Sequence, residues 1–408
     1  MSAPPDRPIG SQTSGVGKLR EVAAAFLKLG LVSFGGPVAH LGYLREEFVR
    51  KRRWLDDAAY GDLVALCQFL PGPASSQVVF ALGMQHAGAW GGVLASLAFT
   101  LPSAVLMILF GYGVSALSDL QGAGWLHGLK LVAVAVVAQA VWGMGRNLCP
   151  DRARLTIGVL SAAVLLFLPG AITQLGVMAG GGIVGWWLDR HAIPSKGETG
   201  PAGWRQHRAA VGLLATFFLL RFLLPVLTRA TGRPEVALFD SFYRAGSLVF
   251  GGGHVVLPLL RAEVVPHGWL TDDRFLAGYG AAQALPGPLF TFAAYLGTAI
   301  HPGPNAWRGG LWCLLAIFLP AWLLIAGALP FWQQLRSGAW TQAALRGANA
   351  AVVGVLLAAL YNPVWLEGVK TRADAGAVLV AFGLLQWWRM PPWLGVLLGG
   401  AAGQWLLS

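Results

Sequence analysis

From residue 22 to the end of the chain, long apolar stretches alternate with short polar ones, and none shows the apolar and polar alternation of a half-buried strand or a barrel wall. Residues 91–110, 131–141, 155–168, 209–227 and 311–329 are the plainest of these stretches. About 20 apolar residues span the hydrocarbon of a bilayer as a helix, and the shorter stretches cross with help from flanking residues or from burial by neighbours. The pattern predicts an all-α polytopic membrane protein.

Other stretches are too short to cross. Residues 22–34 form an apolar arm that, at ~1.5 Å per residue, reaches only ~20 Å into a core ~30 Å thick. Gly35-Gly36-Pro37 breaks it, and a second arm runs to about residue 48. Residues 58–70 and 74–88 repeat the device around Pro71-Gly72-Pro73. Backbone broken at membrane depth is tolerated only where it lines a cavity or is buried in protein, so both breaks are site candidates. Four fuller helices follow, over 91–117, 126–144, 155–168 and 172–188.

The same order then returns. FLKLGLVSFGGPVAHLGYLREEFV at 26–49 aligns without a gap to FYRAGSLVFGGGHVVLPLLRAEVV at 242–265. The alignment sets Lys28 against Arg244, Gly30 against Gly246, Leu44-Arg45 against Leu260-Arg261 and Glu47 against Glu263. With slips of a few residues, Trp54-Leu55 meets Trp269-Leu270 and Asp56-Asp57 meets Asp272-Asp273. Gln68 to Pro73 meets Gln283 to Pro288, and Leu101-Pro102 meets Leu319-Pro320. The fuller helices recur at 311–332, 345–360, 373–387 and 393–407. A period near half the chain marks a two-fold pseudosymmetric protein. The expected organisation is a flexible cytoplasmic tail at 1–20, a first repeat at 21–190, a basic loop and linker transmembrane helix at 191–230, and a second repeat at 231–408. The helix at 209–228 has no partner in either repeat. It carries the chain across, so the second repeat enters with inverted topology.

Composition agrees with a lipid solvent: 56 % of the residues are hydrophobic and 12 % charged, with a mean hydropathy of +0.60. A net charge of +11 would suggest nucleic acid in a soluble protein. Here the cations sit in loops between apolar runs, as the positive-inside rule requires. Lys18, Arg20, Arg45, Arg50, Lys51, Arg52 and Arg53 then mark the cytoplasmic face, with Arg146, Arg152, Arg154, Arg190, Lys196, Arg205 and Arg208, while the turn at Leu168-Pro169-Gly170 falls outside. Arg261, Arg274 and Arg308 fall outside as well, against the rule. Cys67, Cys149 and Cys313 lie far apart in or beside apolar segments and read as packing residues.

Two GG breaks and two PGP breaks, in order and in duplicate, resemble the chromate ion transporter family, whose long members carry two homologous domains in one chain. The residues that carry the resemblance are Phe34-Gly35-Gly36-Pro37 with Lys28 ahead of it, Gln68 to Pro73, Phe250-Gly251-Gly252-Gly253-His254, and Gln283 to Pro288. The resemblance covers nearly all of the chain after the tail. It implies export of chromate from the cytoplasm across the plasma (inner) membrane, chromate resistance, and sulfate as the look-alike anion. The lipid bilayer is the other expected partner, nucleic acid is not one, and a homodimer is compatible with the reading.

The residues themselves suit an oxyanion. A helix that starts at a Gly or Pro break aims unpaired N–H groups and its positive dipole end into the break. Glycine lets an anion approach the backbone, and hydroxyls supply donors. The candidate substrate-binding set is Lys28, Ser33, Gly35, Gly36, Pro71, Gly72, Pro73, Ser75 and Ser76 in the first repeat, with Arg244, Gly251, Gly252, Gly253, Pro286, Gly287, Pro288 and Thr291 in the second. Lys28 and Arg244 recur at one repeat position and are expected to face the cavity as counter-charges, the alternative being cations that snorkel. Arg45, Glu47, Gln68, Arg261, Glu263 and Gln283 are candidates for coupling or gating, Arg45 and Arg261 standing near Glu47 and Glu263 as surface ion pairs. Asp62 and Asp240 join Glu47 and Glu263 as possible carriers of a coupled proton. His40 and His254 follow the breaks at different registers and read as packed side chains. The eight His are scattered, and HExxH, GxSxG and Walker motifs are absent. The reading is therefore a transporter, with a carrier of sulfate or another oxyanion or a passive anion channel as the alternatives, rather than an enzyme, with no cofactor or metal, and with energy drawn from an ion gradient such as that of protons.

Overall fold

The computed structural model describes residues 15–34, 36–116, 124–169, 171–189, 204–249, 255–300, 306–332 and 339–406. Gly35, Gly251, Gly252, Gly253 and His254 lie outside the described residues, as do Arg190 and Lys196.

Sixteen helices organise the described residues, and no strand occurs among them. The first repeat holds α1 (Gly15–Val32), α2 (Gly36–Arg45), α3 (Asp57–Phe69), α4 (Ala74–Ala116), α5 (Gly124–Leu148), α6 (Arg152–Phe167) and α7 (Ala171–Leu188). Helix α8 (Trp204–Thr231) links it to α9 (Pro234–Ser247), α10 (Val256–Val264), α11 (Asp272–Ala284), α12 (Phe292–Ala299), α13 (Trp307–Ala328), α14 (Ala339–Ala359), α15 (Arg372–Gln386) and α16 (Pro392–Leu406). The first helix starts at Gly15, inside the stretch expected to be a flexible tail. Side chains set several starts: Asp56 and Asp151 accept from the amides of Ala59 and Arg154, and Thr371 forms a capping box with Asp374.

The broken arms are hairpins that return to the face they entered from. In the first, Phe26 of α1 stacks on Phe48 beyond α2 at 4.6 Å between ring centres, and Arg52 reaches back to Glu21 at 3.1 Å. In the second repeat, α9 and α10 are tied by Arg244 and Glu263. Tyr295 of α12 donates to the Arg274 carbonyl of α11. Helix α4 is itself two arms. Its backbone leaves helical geometry at Ala87 and Gly88, and a Cβ on Gly92 would stand 2.9 Å from the Phe80 carbonyl oxygen, a contact possible only if the chain folds back. A similar fold-back joins α12 to α13, where Gly310 lies against Ala294 and Thr298. By length and composition five stretches among the described residues can cross a membrane: 74–114, 127–148, 208–231, 307–331 and 342–368. The first of these crosses only with the arm beyond Gly88.

The two repeats interlock. Helix α5 packs on α15 and α16, and its counterpart α14 packs on α6 and α7. The contacts are built from small residues, which let helices approach closely where lipid leaves no hydrophobic force to join them: Gly128 lies on Gly399 and Gly403, and Gly347 lies on Gly181 and Gly185. Helix direction follows from the ends. Arg346, near the start of α14, binds Asp189, which also binds Arg154 just past the end of α5. The far end of α14 shares a cavity of about 450 Å³ with Pro169 and Arg261. So α5 ends at the face where α14 begins. Equivalent helices run antiparallel, and the pseudo-two-fold axis lies across the helices, which makes the repeats inverted.

Candidate functional site

The tips of the hairpins meet across the repeats. The Gly72 amide of the first PGP donates to the Val249 carbonyl at the second break, 2.7 Å away. The Gly287 amide of the second PGP donates to the Ser33 carbonyl at the first break, at 2.9 Å. Ser33 and Val249 occupy one position in the repeat alignment, as do Gly72 and Gly287, so these are two copies of one contact. Each break is closed by the PGP tip of the other repeat.

Local sequence explains the tips. Gly72 and Gly287 hold φ of +125° and +99°, which side-chain-bearing residues rarely adopt. Their α faces rest on the other repeat just past its Leu-Pro: Gly72 on Ala321, Gly287 on Ser103. Gly30 and Gly246 do matching work lower down, crossing α4 and α13 so closely that a Cβ on Gly30 would sit 2.5 Å from the Phe99 carbonyl oxygen. Gly36 opens α2 at φ +76° with free space beside it.

Around the tips the polar groups are buried and partly unpaired. Pro71, Gly72 and Pro73 lead into Ser75 and Ser76 on the first turn of α4, both 3 % exposed, and the Ser76 hydroxyl has no partner. Gln77 donates to the Pro71 carbonyl. Pro286, Gly287 and Pro288 lead into Thr291, whose hydroxyl donates to the Pro288 carbonyl. The Ser33 hydroxyl and the Gln283 amide nitrogen are buried without partners. Gln68 is exposed, unlike its counterpart.

The cations are placed differently from expectation. Lys28 is not turned into the break: its side chain is 61 % exposed and pairs with Glu47 at 3.5 Å. Arg244 pairs with Glu263 at 2.8 Å and with Asp240 at 3.3 Å. Each cation is thus held within its own repeat, and the structure does not bring the two together. Nor are Arg45 and Arg261 paired with Glu47 and Glu263. They bind Asp57 and Asp272 at the foot of the next helix, at 2.7 and 2.6 Å. That pair corrects the alignment by one residue, with Asp57 answering to Asp272 and the N-caps Asp56 and Thr271 to each other. Reading the sequence missed Arg52, which binds both Glu47 and Glu21, and the carbonyls of Ser33 and Val249. A backbone acceptor leaves no signature in side-chain type, but the echoed Leu-Pro pairs beside Ser103 and Ala321 point to the place.

No solved structure is significantly similar to this chain. Among curated proteins, it is 31 % identical over 353 residues to the "Chromate transport protein" of Pseudomonas aeruginosa, covering 82 % of this chain and 79 % of that one. It is 27 % identical over 350 residues to the "Probable chromate transport protein" of Synechococcus elongatus, covering 84 % of both. The "Chromate transport protein" of Cupriavidus metallidurans matches at 27 % identity over 84 % of this chain and 82 % of its own. The profile of the family described as "Chromate transporter" matches twice, over residues 20–186 and 236–404, one match per repeat. With two interlocked copies of one helical unit and both of them matched, the chain belongs to the chromate transporter family.

Proposed function

We propose that this chain is a secondary transporter that exports chromate, a divalent tetrahedral oxyanion, from the cytoplasm across the plasma membrane at the expense of the proton gradient, and so confers chromate resistance. The observation that carries the reading is the duplicated tip contact, Gly72 to Val249 and Gly287 to Ser33, in a chain of this family. A carrier needs a central site that can be closed from either side, and two inverted copies of one closure supply it.

The charge that suits a dianion comes from backbone. Helices α2, α4, α10 and α12 all begin at the hairpin tips, and four N-termini at roughly half a unit charge each sum to about two positive charges. Glycine at the tips lets an oxyanion reach those amides, and the hydroxyls of Ser33, Ser75 and Ser76 add donors, whereas that of Thr291 is spent on the Pro288 carbonyl. The paired Lys28 and Arg244 act at longer range. The carrier reading is favoured over a pore because the PGP tips are buried. Uptake of labelled chromate into inverted membrane vesicles, with unlabelled sulfate as competitor, tests substrate and direction together. Accumulation driven by an imposed pH gradient supports a coupled carrier, and flux that only dissipates a chromate gradient would sink the coupling.

A further inference from the structure

The two tip contacts are not identical, and the difference is His40. Its Nε2–H donates to the Ser33 carbonyl at 3.0 Å, the same oxygen that accepts the Gly287 amide. The position that answers to His40 in the second repeat is Val256, and among the described residues no imidazole meets the Val249 carbonyl. His40 is 1 % exposed, and its Nδ1 is buried with no partner. Since Nε2 carries the proton that reaches Ser33, a neutral ring leaves Nδ1 as a bare acceptor.

We infer that His40 is a proton-binding residue of the transport cycle, holding the Ser33–Gly287 contact closed while neutral and releasing it on protonation. This rests on the transport reading above. Taking up a proton puts a cation and an N–H without an acceptor into a buried site, and a buried charge lacking a partner is costly. The Gly287 tip shares the Ser33 carbonyl with the ring, so parting the tip admits solvent beside the imidazole and relieves the cost. Among the described residues, the groups around the ring are neutral or already paired. Helix α1 presents the Ser33 carbonyl, and its Lys28 is turned to Glu47. Helix α4 presents the edge of Phe99, at 5.6 Å between ring centres, and its neighbouring polar residues Ser96, Thr100 and Ser103 are uncharged. Helix α3 brings Tyr60, whose hydroxyl is spent on the Leu41 carbonyl, and Arg45 on α2 itself is bound to Asp57. The charged residues just past α2 are paired elsewhere, Glu46 with Arg50 and Lys51 and Glu47 with Lys28 and Arg52, and α3 also carries Asp62. Two-fold symmetry would otherwise make both tips respond alike. One histidine gives a single tip sensitivity to acid, below the range of a free imidazole because burial without a counter-charge disfavours the charged ring.

The test uses the internal control that the repeats provide. Amide hydrogen exchange on the full-length protein in lipid nanodiscs is followed in peptides spanning 283–291 and 68–76 from about pH 8 down to about pH 4, each divided by its intrinsic rate. Protection of the 283–291 peptide is expected to fall severalfold as pH is lowered, with 68–76 unchanged. In His40→Gln, whose amide can still donate to Ser33 but cannot titrate, protection of 283–291 stays flat. His40→Asn serves if the Gln variant does not reach the membrane. A pH-independent wild type, equal loss at both tips, or an unaltered response in both variants each overturns the proposal. Chromate flux measured on the same preparations separates the two readings: pH-dependent exchange without any flux refutes the transport function and leaves the proton switch standing.

Discussion

Replacing Gly287 by Ala puts the closure of the first break to a direct test. At φ +99° a Cβ is strained whatever the space, at a cost of ~1–3 kcal/mol for such backbone conformations. Space is short as well. The added carbon would stand 2.7 Å from Ser103 Oγ and 3.4 Å from the Phe99 carbonyl oxygen, and Ser103 would have to give up its bond to the Thr100 carbonyl. A hydrogen bond lost here, either that one or Gly287 to Ser33, adds about 1 kcal/mol. The closed tip therefore loses ~2–4 kcal/mol, which corresponds to a change of roughly thirty- to several-hundredfold in its population. Initial chromate flux into proteoliposomes, normalised to reconstituted protein, should fall at least tenfold. Gly42→Ala is the control, because Gly42 lies on α2 with nothing within 4 Å of an added Cβ, and Ala suits a helix better by about 1 kcal/mol. Wild-type flux in Gly287→Ala, with Gly42→Ala behaving the same, would refute the claim that tip closure is part of the cycle.

Gly36→Val should abolish transport at normal membrane abundance, since φ +76° excludes a β-branched residue although the space is open, and Gly36→Asn should be milder because Asn tolerates that conformation; quantitative blots with flux assays read both. Arg244→Gln leaves the Asp240 and Glu263 carboxylates, 6 % and 14 % exposed, without their partner. Breaking a buried pair costs ~3–5 kcal/mol, so abundance should drop sharply and recover in part in Arg244→Gln/Glu263→Gln. Lys28→Gln, at an exposed cation, should keep its abundance and raise the half-saturating chromate concentration severalfold if long-range charge contributes. Reporter fusions at Ser195 and after Ser408 should report the cytoplasm and the outside, respectively; two cytoplasmic signals would contradict the inverted arrangement.

The apolar pattern and the internal repeat determined a great deal without coordinates. They placed the helical membrane class, the paired short arms, the break at residue 88, the PGP tips and a long apolar helix between the repeats. Those features are local: length against bilayer thickness, and Gly or Pro against helix, are properties of consecutive residues. The duplication also marked Gly30 and Gly246 as equivalent. It could not say that each meets a helix carbonyl of its own repeat, because a close approach is a relation between distant segments.

Tertiary structure alone decided the partners. From sequence, Arg45 sits two residues from Glu47 and reads as its neighbour. Folding places that carboxylate under Lys28 and Arg52 instead, and hands Arg45 to Asp57 across a turn. The central contact was hidden for the same reason. Gly287 and Ser33 are joined through backbone groups that every residue type carries, so only the meeting of two inverted repeats selects which carbonyl is used. His40, an apolar-helix histidine in sequence, gains its meaning from that shared oxygen.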